Sequence, residues 1–128
     1  MISRKTDYAL RTLLNLAEEK DWSSVGEISN KARVSRDFIA KICQTLSQVG
    51  IIESKRGKGG GIRLKDGNVK LAEIISLFEP RFALNKCLNR NYFCYFKGKC
   101  KMHNLLHDIN DGLMNKLRNI SINQVAGM

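Results

Sequence analysis

The sequence predicts a mainly α chain in which a winged helix-turn-helix with a small β-hairpin wing is followed by a long helix suited to dimerisation. Three observations predict it. Two short helical patterns are separated only by Arg33-Val34, a spacing that suits a helix-turn-helix. The apolar period then shortens to that of strands on either side of Lys55-Arg56-Gly57-Lys58-Gly59-Gly60-Gly61, a basic, glycine-rich tip. Finally, a separate apolar stripe runs at helical spacing from His103 to Asn119.

Each element follows in order. Thr6 to Glu19 reads as a helix because Ala9, Leu10, Leu13, Leu14 and Ala17 recur at steps of three and four. Lys20 to Ser24 is a polar break. Val25 to Ala32 carries Ile28 and Ala32 on one side. Ser35 to Val49 carries Phe38, Ile39, Ile42, Cys43 and Leu46, with Ser35 as the N-cap and Gly50 as the stop. Ile51 to Ser54 and Ile62 to Leu64 are the strand candidates. Asp66-Gly67-Asn68 is a turn, and Leu71 to Glu79 is a short helix ended by Pro80, the single proline. From Arg81 to Lys101 the periodicity fades and three cysteines appear. The final helix presents Leu106, Ile109, Leu113 and Leu117, with Met102, Leu105, Met114 and Ile120 widening the stripe. A face that wide must pack on something: a partner subunit is the natural candidate, and the chain's own domain is the alternative. The chain thus divides into a winged-helix DNA-binding domain (1–80), a cysteine loop (81–102), and a dimerisation helix with the C-terminal tail (103–128).

With 128 residues, 43% of them hydrophobic, the chain can bury a modest core and is not a disordered tail. No apolar run is long enough to span a membrane, and the N-terminus lacks the apolar core of a secretory signal, so the expected setting is the cytoplasm. The net charge of +10 favours polyanionic partners, nucleic acid above all. Lys55, Arg56, Lys58 and Arg63 lie in a nine-residue stretch without an acid, and Lys97, Lys99 and Lys101 bracket Cys100.

The early residues of the second helix in a helix-turn-helix face the base edges. Here these are Ser35, Arg36 and Asp37, with Ala40 and Lys41 one turn later. Arg36 has the fork for guanine. Charged residues on a helix usually face water, and the adjoining basic hairpin is what tips Arg36 and Lys41 towards DNA. The tip lacks the Gly-Lys-Ser/Thr ending of a phosphate-binding loop, and a strand follows where a helix should start. A wing that lays Arg56, Lys58 and Arg63 against phosphate or into the minor groove fits better.

Cys43 falls on an apolar helix face and reads as a small buried residue. Cys87, Cys94 and Cys100 are spaced by six and then five residues in the irregular stretch, with His103 three beyond the last. A disulfide fits poorly with a reducing compartment and an odd count of three. A structural Cys₃His zinc site is the serious rival, although such sites usually contain a closer cysteine pair than any here. The wider spacing suits a cluster of several iron atoms slightly better. Nothing resembles a nucleophile with its base: His107 and Asp108 are adjacent and cannot form a base with its orienter, so no enzyme is expected.

Thr6-Asp7-Tyr8-Ala9-Leu10-Arg11, the wing Arg56 to Leu64, the three cysteines, and the long helix ending at Asn119-Ile120-Ser121 together resemble the Rrf-two family of winged-helix regulators over nearly the whole chain. The resemblance implies a DNA-binding transcriptional regulator, a repressor by preference, that acts as a homodimer on a palindromic operator of double-stranded DNA. Its affinity would be controlled by an iron–sulphur cluster on Cys87, Cys94 and Cys100, [4Fe-4S] being favoured over [2Fe-2S], that senses nitric oxide, redox or iron–sulphur status. It also implies a fourth ligand. Asp7 matches the aspartate that reaches the cluster from the partner subunit in the nitric-oxide sensors; His103 matches the histidine of the cluster-biogenesis regulators. Glu79-Pro80 and the wing favour the first. The first cysteine gap is slightly longer than in the members it resembles.

Overall fold

The computed structural model describes residues 2–96 and 98–128. The chain forms α1 (Arg4–Glu19), α2 (Val25–Ala32), α3 (Arg36–Gln48), β1 (Ile52–Lys55), β2 (Gly61–Leu64), α4 (Leu71–Phe78), a 3₁₀ turn (Lys86–Leu88), α5 (Lys101–Arg118) and α6 (Ile122–Ala126). The mainly α architecture with one hairpin is the one the periodicity predicts.

Serines set the starts of α1, α2 and α3. The Ser3 hydroxyl accepts from the Thr6 N–H at 3.2 Å, that of Ser24 from Glu27 at 3.0 Å, and that of Ser35 from Phe38 at 3.2 Å. Each satisfies an N–H that the helix itself leaves orphaned. The Ser3 cap explains why α1 begins two residues before Thr6, where the apolar pattern starts. Between α2 and α3 the chain turns through Arg33, which takes a left-handed φ of 57°.

Leu13 and Leu16 of α1 meet Ile28 of α2 and Ile39, Ile42 and Leu46 of α3 in one core, each at most 1% exposed. Side chains of this size contribute roughly 1.5–3 kcal/mol apiece on burial. The wing closes one end: β1 and β2 pair antiparallel from Ile52 opposite Leu64 to Lys55 opposite Gly61. Ile52 and Ile62 point into the core, whereas Glu53 and Arg63 face outward.

Two features depart from the sequence expectation. The polar break before α2 is part of the sheet, because Ser23 and Ile62 exchange both backbone hydrogen bonds, at 2.9 and 2.7 Å. Gly61 permits that approach: its φ is +137°, and a β-carbon there would lie 2.5 Å from the Ser23 carbonyl oxygen. Secondly, the tail forms α6, which carries Ile122 into the core at 1% exposure and packs on α1. Ser121 and Gln124 cap it reciprocally, and Ser121 bridges to Lys70. Residues 121–128 therefore sit with the N-terminal core, apart from the helix that precedes them in sequence.

α5 differs from every other helix of comparable length: none of its 18 residues is buried. One side rests on α4 and on the 3₁₀ turn. Met102, Leu105 and Ile109, at 57, 51 and 50% exposure, form a second apolar row.

Candidate functional site

The DNA-facing candidates lie on two neighbouring elements. Ser35, Arg36, Asp37 and Lys41 are all exposed at the start of α3, and Lys55, Arg56, Lys58 and Arg63 are exposed on the wing. An open groove of about 520 Å³ separates α3 from the hairpin, lined among others by Ala40, Gln44, Ser54 and Ile62. Helix and wing thus present side by side. Phe38, Ile39, Ile42 and Leu46 hold α3 from behind.

The side chains are not equally free. The guanidinium of Arg36 lies back over Gly26 of α2, where a β-carbon would meet its Nη2 at 3.0 Å. The Ser35 hydroxyl serves the cap but keeps its own proton to donate. Arg63 is engaged twice: it binds one Glu53 oxygen through Nε and Nη2 at 3.1 and 2.6 Å, and its guanidinium lies 4.5 Å from the Trp22 ring centroid. Lys55, Arg56 and Lys58 have no ion pair among the described residues. Gln44 and Trp22 carry no flag in the sequence, although Gln44 stands one turn beyond Ala40 and its amide is a base-reading group.

The four cysteines fall into two kinds. Cys43 is 5% exposed, and burial pushes its thiol from an ordinary pKa of 9.0 up to about 11. Cys87, Cys94 and Cys100 are half-buried. Cys87 sits in the 3₁₀ turn, whose first N–H is capped by the Asn85 side chain at 2.8 Å. Cys94 lies in the turns that follow. Cys100 is the N-cap of α5, and its sulphur accepts from the His103 N–H at 3.4 Å. Backbone hydrogen bonds in the loop span three residues at a time, and Leu84 to Asn110, at 3.0 Å, ties its start to α5. Tyr92, Phe93, Tyr95 and Phe96 around Cys94 are exposed, Phe93 and Tyr95 at 84 and 86%. Lys97 lies outside the described residues.

In kind, the donor set fits an iron–sulphur centre: three accessible thiols on one loop, with a carboxylate or an imidazole as further donor. Within this single chain the donors are not gathered, and among the described residues no group of three or more His, Cys, Asp or Glu is placed to hold a metal ion. Asp7 lies on α1, its carboxylate accepting from Arg11 Nε at 3.1 Å on an exposed face. His103 stands on the first turn of α5 beside Cys100, its ring 6.4 Å from that of His107. No helix among the described residues is long and apolar enough to cross a membrane.

Comparison with known proteins accords with this geometry. Residues 2–127 match the Rrf2 family model, described as an iron-dependent transcriptional regulator. The HTH-type transcriptional regulator NsrR of Shouchella clausii (strain KSM-K16) is 32% identical over 108 residues, covering 80% of this chain and 72% of that protein. NsrR of Bacillus subtilis (strain 168) is 30% identical over 112 residues, covering 84 and 77%. Among solved structures, CymR (YrzC), the global cysteine regulator of B. subtilis, superposes with a TM-score of 0.83 at 20% identity, over 99% of this chain and 96% of that one. With its winged helix and these relatives, the chain belongs to the Rrf2 family and is a DNA-binding transcriptional regulator, not an enzyme.

Proposed function

We propose that this regulator acts as a homodimer on a palindromic operator, and that an iron–sulphur cluster held by Cys87, Cys94 and Cys100 controls its affinity. The observation that carries the reading is the contrast among the cysteines. Cys43 is buried in the core at 5% exposure, whereas the other three are half-buried along a turn-built loop that leads into α5. The likeness to regulators named NsrR supports the nitric-oxide reading over other redox or iron signals. When bound, the cluster supplies a centre whose survival depends on nitric oxide, oxidants and iron supply.

The chain's own residues do the rest. The three thiolates draw a loop with few outside ties into one arrangement, and Cys100 passes that arrangement directly to the start of α5. The exposed row Met102, Leu105 and Ile109 suits burial against a second copy. Asp7, partly exposed on α1, is the ligand we favour from the partner subunit; His103 is the alternative within the same chain. Two recognition helices held by such a dimer match half-sites a whole number of helical turns apart. A coupling of about 1.4 kcal/mol between loop and dimer geometry already changes operator affinity tenfold.

Anaerobic purification tests this directly. A coloured protein containing iron and acid-labile sulphide, with operator affinity lost on cluster removal, is the expected result. A colourless protein with stoichiometric zinc and equal DNA binding before and after chelation would establish the structural-zinc alternative. Asp7→Ala and His103→Ala, compared for iron content and absorbance, identify the fourth ligand.

A further inference from the structure

Trp22, Arg63 and Glu53 form a row across the outer face of the wing. Alternation along β2 turns Ile62 inward and Arg63 outward, and the pairing of Ser23 with Ile62 places Trp22 on the same outer side as Arg63. On the other flank, Glu53 is the direct cross-strand partner of Arg63. The guanidinium therefore has a carboxylate on one side, held through two N–H groups at 3.1 and 2.6 Å, and an indole on the other, with its centroid at 4.5 Å. Lys55 Nζ lies 5.8 Å from the same ring.

We propose that this row is a brace that sets the wing against the helix-turn-helix, so that Trp22, Arg63 and Glu53 are positioning residues for DNA binding while Lys55, Arg56 and Lys58 meet the phosphates. The proposal rests on the reading that the wing contacts DNA. Its logic is one of competition. A guanidinium whose charge is already countered by a carboxylate and whose face lies on an indole keeps free N–H groups but is drawn less strongly to a phosphate. The segment it clamps, Asp21 to Ser24, leads straight into the N-cap of α2, so the hairpin is tied to the first helix of the helix-turn-helix by side chains as well as by backbone. Arg56 and Lys58, towards the tip, have no such ties among the described residues, and Lys55 has only the longer one, its Nζ 5.8 Å from the Trp22 ring centroid.

Operator affinity measured as a function of salt distinguishes the two roles. Each phosphate contact contributes about 0.9 to the slope of log K against log salt. Arg56→Gln is expected to lower the slope by about that amount. Arg63→Gln is expected to weaken binding about fivefold, because the wing is no longer held against the helix-turn-helix, with the slope unchanged. Glu53→Gln decides the sign. If Arg63 gripped phosphate, removing its carboxylate would free it and tighten binding; in a brace the same change weakens binding. Trp22→Phe keeps a weaker stack and should fall between wild type and Trp22→Ala. Because Trp22 is the sole tryptophan, its emission in the free protein reports the row and should shift in Arg63→Gln and Glu53→Gln while both variants remain folded. A slope loss in Arg63→Gln matching that in Arg56→Gln, or tighter binding by Glu53→Gln, overturns the proposal. If Arg56→Gln changes neither affinity nor slope, the wing does not meet DNA, and the brace falls with that reading.

Discussion

The ring of Tyr8 meets that of Phe38 edge-on, with centroids 5.6 Å apart and planes at 85°, joining the exposed start of α1 to the first turn of α3. The Arg4 guanidinium covers both rings, at 5.6 and 5.2 Å from their centroids. Asp7 is the next residue to Tyr8, and Ser35, Arg36 and Asp37 immediately precede Phe38. The contact is thus a short physical link between the side of α1 that offers a carboxylate and the helix expected to read bases. Aromatic pairs of this geometry contribute about 0.5–1.5 kcal/mol beyond their buried area. Tyr8→Ala should lower both the melting temperature and operator affinity, whereas Tyr8→Phe should preserve both; anisotropy titration alongside thermal melting checks this.

Cys43 makes stability depend on alkaline pH. Below about pH 9 its thiol is protonated in the folded and unfolded chain alike. Above that, the unfolded chain releases the proton while the folded one, with its pKa near 11, retains it. The folded state then binds more protons, so stability falls as pH rises from 9 towards 11, by about 2–3 kcal/mol in all. Denaturant unfolding of wild type and Cys43→Ala across this range should show that limb in the first and a flatter profile in the second.

Thiol labelling should separate the cysteines in the cluster-free protein. Cys43 is expected to resist alkylation at pH 8 until the chain unfolds, whereas Cys87, Cys94 and Cys100, all half-buried in the loop, should react in the native state. Peptide mass mapping after timed alkylation gives the order.

Cys100 performs two tasks that substitution can part. As N-cap it accepts the His103 N–H, and serine can do the same. Cys100→Ser should therefore keep the stability of the cluster-free protein within a few tenths of a kcal/mol while abolishing iron binding. Cys100→Ala should abolish iron binding and also cost about 1 kcal/mol through the lost cap. Melting curves paired with iron analysis read the two effects apart.

Removing α6 should damage the DNA-binding core. Ile122 is fully enclosed against α1, and Ile122→Ala is expected to destabilise the chain by about 2–5 kcal/mol. Ser121→Ala, which removes only the cap, should cost about 1 kcal/mol. Urea unfolding of the two variants checks the ratio.

Helices were legible where apolar spacing and a cap agreed. The run Val25 to Ala32 matches α2 at both ends, and Ser35 caps α3 as its sequence position predicts. The wing was legible because glycine and charge mark its tip while period-two residues flank it. α6 was not, since five residues are too few to show a period; its trace is Ser121 and Gln124, a capping pair three residues apart. The separation of Cys43 from the other three cysteines was readable from helical phase alone, and its 5% exposure agrees.

By itself, then, the sequence determined the element order, the basic wing and which cysteines stand apart, because these depend on local periodicity, capping and composition. Only the tertiary structure decided that Arg63 is engaged by Glu53 and Trp22, that Ser23 joins the sheet, and that residues 121–128 return to the core. Those relationships join residues far apart in sequence, as when Ile122 packs into the core shared with Ala9, 113 positions before it, and among the described residues the loop lies outside that core without gathering its cysteines in the single chain. Long-range contacts of this kind depend on where whole elements pack, which no local pattern encodes.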